Sequence, residues 1–390
     1  MKLLSLLPLL VLLSCGGPPA STTDNTADVP TPSGMDTSTV AGRWSSEKAS
    51  AYYAARPWVV GANYNNRGAI NQLEMFQAET FNPDQIDQEL GWAAAIGMNS
   101  MRVYLHNLLW EQDSTAFLDR LEQYLSIADR HGISTTFVLF DSVWNPESEL
   151  GTQPDPTPHT HNSGWVQSPP ERQLTGDRSH FPQFKAYVQG MLRHFDGDER
   201  VYMYDLYNEP DNHNFGKFPK EQVDSKPARV FALLRATFEW AREVDPSQPL
   251  TAGVWWQSIA DPGDMTAFNA FQLNNSDIIS FHSYGDPESL QALWLDHLAR
   301  YDRPLVCTEY MARTNGSTFA GYLPVFKEQR IGAYNWGLVS GKSQTIYPWA
   351  SWDSTFTAEP DLWFHDVFRP DGTPYDTAET KLIRRLTAAR

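Results

Sequence analysis

Cysteine is almost absent from this chain. Only Cys15 and Cys307 occur among 390 residues, so the fold has at most one disulfide available and none if Cys15 is otherwise engaged. Cys307, inside a short apolar run, reads as a small buried core residue. Basic residues are also scarce. Thirty Lys and Arg stand against 47 Asp and Glu, and the net charge of -17 repels polyanions, which excludes nucleic acid as a partner. Long apolar runs are missing after the first residues, so nothing beyond them is built to span a bilayer and the body reads as soluble.

Aromatic residues, by contrast, are abundant. They make up 13% of the chain with 14 Trp, which is rich in flat side chains that fill cores and stack on apolar faces such as sugar rings. The first residues carry an export pattern: Met1-Lys2, the apolar run Leu3 to Leu13, then Ser14-Cys15. This end resembles a bacterial lipobox, in which the signal is cut before the cysteine and the cysteine is lipidated. A plain secretory signal is the alternative. Gly, Pro, Ser, Thr and Asp dominate the residues that follow and cannot bury enough surface to fold. The expected division is a signal peptide over 1–14, a lipidated Cys15 with a flexible tether to residue 45, and one domain over 46–390. The expected location is the bacterial cell envelope, lipid-anchored, with a periplasmic or secreted life as the alternative.

Within that domain short β-rich runs alternate with helical patterns. Strands are expected at Trp58–Asn63, Met98–Tyr104, Ile133–Phe140, Val201–Leu206, Leu250–Val254, Ile278–Phe281, Leu305–Thr308 and Ile331–Asn335. Helices are expected at about Pro83–Ile96, Ser114–His131, a segment ending near Phe195, Pro227–Val244 and Thr377–Ala388. Eight strands alternating with helices predict an α/β fold, a (β/α)8 TIM barrel, for which about 250 residues suffice. Residues 142–178, crowded with Pro, His, Ser and Gly, form a long aperiodic loop over the rim after the third strand.

The stretch Val201 to Pro210, VYMYDLYNEP, is a buried strand that runs straight into Asn208-Glu209-Pro210. Pro210 cannot join a sheet ladder and pushes Glu209 towards extended geometry, so the strand stops with its carboxylate at the rim. Glu309 leaves the seventh strand in the same way. In a parallel barrel that rim is where active sites are built. Two such glutamates are what glycosidic hydrolysis requires, one protonated to donate to the leaving oxygen and one ionised to support an oxocarbenium-like carbon.

Asn208-Glu209-Pro210 after a fourth strand and Glu309 after a seventh resemble the clan A glycoside hydrolases, particularly glycoside hydrolase family 5, the family of many cellulases and mannanases. The resemblance covers about Trp58 to Arg390. It implies a retaining β-glycosidase acting on β-linked glycans such as β-mannan or β-glucan, with Glu209 as acid/base, Glu309 as nucleophile and Asn208 on the sugar 2-hydroxyl. Arg102 resembles the second-strand Arg that holds the nucleophile, and its charged fork would keep Glu309 ionised. Ser280-Phe281-His282-Ser283-Tyr284 resembles the sixth-strand His-x-Tyr: Tyr284 would donate to the nucleophile and His282 to a sugar. Trp336 resembles the Trp flooring the cleaved-sugar subsite. Asn63, Tyr64, Asp141 and Trp144 are placed to line the same mouth, with Asp141 standing where many members have His. Trp255 and Trp256 are either cleft or core residues, and Lys342, Gln344, Trp349 and Trp352 either border the cleft or pack on the last helix. No cofactor and no metal are expected. The pair His159-Thr160-His161 would suit a metal-dependent barrel hydrolase only at the first strand's end, and it lies in the long loop instead. A non-catalytic sugar-binding lipoprotein is the other alternative, and the presence of both carboxylates argues against it. The partner expected is a β-linked oligo- or polysaccharide, with membrane contact only through the lipid on Cys15. Exo or endo attack, the sugar and the oligomeric state stay open.

Overall fold

The computed structural model describes residues 34–214, 218, 226–255, 259–261, 263 and 265–388. The signal peptide, Cys15, the tether to residue 33 and Trp256 lie outside the described residues. Eight strands form one parallel sheet: β1 Val60–Asn63, β2 Ser100–Tyr104, β3 Ser134–Asp141, β4 Val201–Asn208, β5 Leu250–Thr251, β6 Ile279–Ser283, β7 Leu305–Tyr310 and β8 Gly332–Trp336. Their order is β5-β4-β3-β2-β1-β8-β7-β6. The gap between β5 and β6 is bridged by Val254 and Phe281, with the Val254 amide donating to Ser280 O at 3.1 Å and the His282 amide donating to Val254 O at 2.9 Å. The sheet is therefore a (β/α)8 barrel, as the alternation of elements requires. The fifth strand is shorter than expected, two residues and a single bridge in place of Leu250–Val254.

The helices are α1 Ser46–Ala54, α2 Gln72–Phe76, α3 Pro83–Ala95, α4 Asn107–Arg130, α5 Phe181–His194, α6 Lys226–Val244, α7 Ala267–Asn275, α8 Pro287–Leu290, α9 Asp296–Leu298, α10 Phe319–Glu328 and α11 Thr377–Thr387. Helix α4 starts earlier than the expected Ser114 because two helical pieces meet at Asp113, whose backbone is non-helical (φ -162°, ψ 94°). Asp113 Oδ1 accepts from the Ala116 amide at 3.0 Å, which restarts the helix as an N-cap does. None of the described helices is long and apolar enough to cross a membrane.

Residues 36–45, assigned above to the tether, lie against the domain. Val40 and Trp44 are buried, their amides donating to Asn275 Oδ1 at 2.6 Å and Asp277 Oδ1 at 2.8 Å. Arg43 donates to the carbonyls of Leu273 and Ser276. These bonds satisfy carbonyls at the C-terminal end of α7, so the ordered domain begins about ten residues before 46.

The core lies mainly between the strands and the helices. Phe140 on β3 packs on Phe184 and Tyr187 of α5, and Tyr310 on β7 packs on Tyr322 and Phe326 of α10. Inside the barrel the contacts are polar as well as apolar. Tyr334 of β8 reaches Ser100 Oγ of β2 at 2.7 Å and Thr136 Oγ1 of β3 at 2.9 Å. Gly61 lets β1 approach β2, since a Cβ there would stand 1.6 Å from Ser100 O.

Candidate active site

Strand alternation puts Ser100, Arg102 and Tyr104 of β2 on the inner face. The Arg102 guanidinium is fully buried and every arm is used. It donates to Asp205 Oδ2 from Nε at 3.1 Å and Nη2 at 2.8 Å, to Asn208 Oδ1 at 2.7 Å, and from Nη1 to Asn63 Oδ1 at 2.7 Å and Glu309 Oε1 at 2.9 Å. One cation thus faces two carboxylates, and losing either would leave a poorly compensated buried charge.

Glu309 reaches the interior through a break in register. Val306 packs beside Tyr334 on the inner face, so strict alternation would turn Glu309 outward. Between β6 and β7, however, Phe281 pairs with Cys307 and His282 with Glu309, which leaves Thr308 as an extra residue. That bulge re-aims the carboxylate inward and Tyr310 outward. Glu309 Oε1 accepts from Tyr104 OH at 2.7 Å and Oε2 from Tyr284 OH at 2.7 Å. Burial alone would raise its pKa. The His282 and Arg102 charges and the two phenol hydroxyls outweigh that and hold the carboxyl below its ordinary range.

Glu209 follows β4 with φ 42°, so it is left-handed and not extended. The restriction from Pro210 is overridden by a turn in which the Asn212 amide donates to Glu209 O at 3.0 Å. Such backbone costs roughly 1–3 kcal/mol and persists only where the surroundings fix it. Here Asn212 Nδ2 donates to Glu209 Oε2 at 2.6 Å, and His282 Nδ1 lies 2.6 Å from Glu209 Oε1. Burial first, and the negative Glu309 beside it, push the Glu209 carboxyl up, with His282 opposing. The two glutamates therefore titrate apart, as an acid and an ionised carboxylate must.

His282 bridges the pair and does not turn to the open mouth. Its Nδ1 is also 3.6 Å from Glu309 Oε2, and its Nε2 is buried without a partner. One atom each of Glu209, His282 and Glu309 lie within 4.8 Å of one another, the one such group among the described residues. A cation placed there would face Arg102 across Glu309, so the charge pattern disfavours metal. His159 and His161 lie elsewhere, with His159 Nδ1 2.6 Å from Tyr347 OH and His161 Nδ1 2.8 Å from Tyr347 O.

The remaining expected residues divide. Asn208 Nδ2 donates to Asp141 Oδ1 at 2.9 Å, so its amide is oriented from both ends. Burial pushes the Asp141 carboxyl up to about 7, against donation from Trp165 and Asn208. Asn63 props Arg102 and also donates to Thr308 O at 2.8 Å, so it acts behind the carboxylates. Trp336 meets Tyr104 at 5.7 Å and Trp165 at 5.8 Å, both edge-on. Trp144 stacks on Trp352 at 5.1 Å with 8° between planes. Tyr64 lines a hollow beside Asn63 and Tyr104, while its hydroxyl donates to Glu89 of α3 at 2.9 Å and its ring stacks on Tyr124 of α4. Trp255 donates to Asp211 Oδ1 at 2.7 Å, close behind Glu209 in sequence. In the segment 338–352, Lys342 pairs with Glu74 at 2.5 Å, and Trp349, 38% exposed, stands edge-on to Tyr284 at 5.1 Å. Tyr104, Asp205, Asn212 and Trp165 were not singled out from sequence. Tyr104 stands two residues from Arg102, and Asp205 is the one charge inside an apolar strand; both were readable signals.

The family model Cellulase (glycosyl hydrolase family 5) matches residues 64–342. A comparison with curated proteins gives no match. Among solved structures, an exo-β-1,4-mannosidase from Opitutaceae bacterium strain TAV5 is similar at 18% identity, TM-score 0.57, over 84% of this chain and 58% of that one. This chain thus spans less than two thirds of that protein. A β-mannanase from the blue mussel Mytilus edulis is similar at 17% identity, TM-score 0.51, over 76% of this chain and 89% of that one. A GH5_18 protein from Streptomyces cattleya, in complex with GlcNAc, is similar at 12% identity, TM-score 0.54, over 85% of this chain and 80% of that one. At such identities the likeness is one of fold, and it is the family model, spanning most of the barrel, that assigns the chain: it belongs to glycosyl hydrolase family 5 and is a glycoside hydrolase.

Proposed function

We propose that the protein is a retaining β-glycosidase for β-linked oligo- or polysaccharides of the mannan or glucan kind, with Glu309 as nucleophile and Glu209 as acid/base. The observation that carries the reading is the approach of the two carboxylates, one oxygen of each lying within 4.8 Å. Retaining pairs stand about 5–5.5 Å apart, whereas inversion needs roughly 6.5–9.5 Å to admit a water. In the first step Glu209 gives its proton to the glycosidic oxygen, the bond from that oxygen to the anomeric carbon breaks, and Glu309 bonds the carbon. In the second, Glu209 takes a proton from water as the water oxygen displaces Glu309. Activity on a panel of β-mannans, β-glucans and aryl β-glycosides tests the assignment; no turnover of any of them would remove it.

The phenols of Tyr104 and Tyr284 steady the charge that moves on and off Glu309. Tyr104→Phe and Tyr284→Phe are each expected to lower kcat by about 10²-fold with a smaller change in KM. An unchanged kcat in a folded variant would discard that residue's role.

The profile of kcat/KM against pH follows from the two opposed shifts. Activity needs Glu309 ionised and Glu209 protonated. It is lost as pH falls through the depressed pKa of Glu309 and as pH rises through the elevated pKa of Glu209, so the shifts widen the plateau at both ends. In Glu209→Ala, measured with an activated aryl glycoside, the alkaline limb should vanish. Its persistence would assign that limb to another group, such as Asp141.

We also propose that Cys15 carries lipid and tethers the enzyme to the cell envelope, supported by the lipobox-like end. Wild-type protein should fractionate with membranes and Cys15→Ala without them. Soluble wild type, or an anchored variant, would refute the anchor.

A further inference from the structure

A hollow opens beside the carboxylates, walled by Tyr104, Trp165 and Trp336 and completed by Asn65, Asn162 and Asp366. Its position relative to the two glutamates is informative. Tyr104, which donates to Glu309, and Asn63, which holds Arg102, border it, whereas neither Asn212 nor His282, the partners of Glu209, does. In double displacement the nucleophile bonds the sugar that is retained, and the acid stands beside the group that leaves. The hollow therefore belongs to the retained sugar.

Its lining suits a ligand covered in hydroxyl groups. Asn65 Oδ1 and Asn162 Oδ1 are buried acceptors without a partner, and Asn162 is only 2% exposed. Unmet acceptors of this kind carry a desolvation cost that donated hydroxyl protons would remove. Asp366 accepts from Thr345 Oγ1 at 2.7 Å. Gly337, with φ 74°, admits that carboxylate, since a Cβ there would stand 2.4 Å from Asp366 Oδ1. The aromatic rings supply apolar faces for a pyranose.

The far side of the hollow is closed by the long loop after β3 and the segment after β8. The Asn162 amide donates to Ser343 O at 2.8 Å and the His159 amide to Gln344 Oε1 at 2.7 Å, while Gln344 Nε2 donates to Thr157 O at 2.6 Å. Beyond them the His161 amide donates to Ser351 Oγ at 3.0 Å, Trp352 Nε1 donates to His161 O at 2.8 Å, and Trp144 stacks on Trp352. An extended glycan continuing past the retained sugar would have to part these bonds. Resting on the glycosidase reading above, we infer that the hollow is a closed terminal subsite, so that the enzyme releases one sugar at a time from the non-reducing end of β-linked chains.

The test uses the full chain, aryl β-monoglycosides, polymeric mannan and glucan, and β-1,4-linked pentaoses of mannose and glucose labelled at the reducing end with 2-aminobenzamide. The aryl monoglycoside of the matching sugar should be hydrolysed, and the labelled chain should shorten stepwise by one unit. A benzylidene cap on the non-reducing terminal sugar should slow that pentaose by about tenfold or more, because the cap meets the closed wall. Labelled fragments of mixed length from the first time point, equal rates with and without the cap, or polymer cleavage with every aryl monoglycoside untouched would overturn the closed subsite and leave the glycosidase standing. If polymers, pentaoses and aryl glycosides all stay intact, the glycosidase reading falls and the subsite with it.

Discussion

Replacing Glu309 by Ala is expected to lower turnover by about 10⁴-fold or more on every substrate, activated aryl glycosides included, because no other group can form the bond to the anomeric carbon. The carboxylate is 4% exposed and held at both oxygens by Tyr104, Arg102 and Tyr284. Its removal leaves the Arg102 charge with Asp205 alone, so Glu309→Gln, which keeps the shape, controls for loss of folding by its melting temperature. Azide fits the space the Ala variant vacates and should restore turnover of an activated β-glycoside as the α-azide, since the small anion attacks from the nucleophile's side. A variant that keeps more than about one hundredth of the wild-type rate would put the nucleophile elsewhere.

Removing the other carboxylate should act unevenly. Glu209→Ala is expected to lose about 10²- to 10⁴-fold on substrates whose leaving group needs a proton. Aryl glycosides with acidic phenols should still glycosylate Glu309, after which the missing base lets the intermediate accumulate. A burst of phenol followed by slow turnover is the expected trace, and azide should now yield the β-azide. A uniform loss across leaving groups of different acidity would contradict the acid/base role. The left-handed backbone at Glu209 and its bond to Asn212 place this carboxyl on the side of the departing group, away from the hollow that Tyr104 and Trp336 border.

The barrel was legible because strand and helix patterns alternate, and Glu209 because Pro210 stops a strand beside it. Other features were legible and passed over. The period of two that sets His282 on the inner face also sets Tyr104 beside Arg102. Asp205, a carboxylate inside VYMYDLYN, can sit in an apolar strand only if a cation meets it, and Arg102 does so at 2.8 Å. Glu309 differs. From Val306 the alternation points it outward, and only the bulge at Thr308 reverses this, so its position at the end of the seventh strand marked it as a candidate although the alternation alone would set it outside. The closure of the hollow was beyond reach for a similar reason: Asn162 and Ser343 meet through a hydrogen bond that no local period encodes. Val40 and Trp44 were masked by the polar composition around them, although a Trp in a supposed tether is itself a sign of burial.

The central claim is that Glu309 carries the sugar between the two steps. Incubation of the enzyme with a 2-deoxy-2-fluoro β-glycoside bearing a dinitrophenolate leaving group, in the manno and gluco forms, slows both steps but the second more, so the intermediate persists. Mass spectrometry of the proteolysed adduct should find the fluorosugar on the peptide that contains Leu305 to Tyr310, at Glu309. A fluorosugar attached at Glu209 or at any other residue would contradict the account.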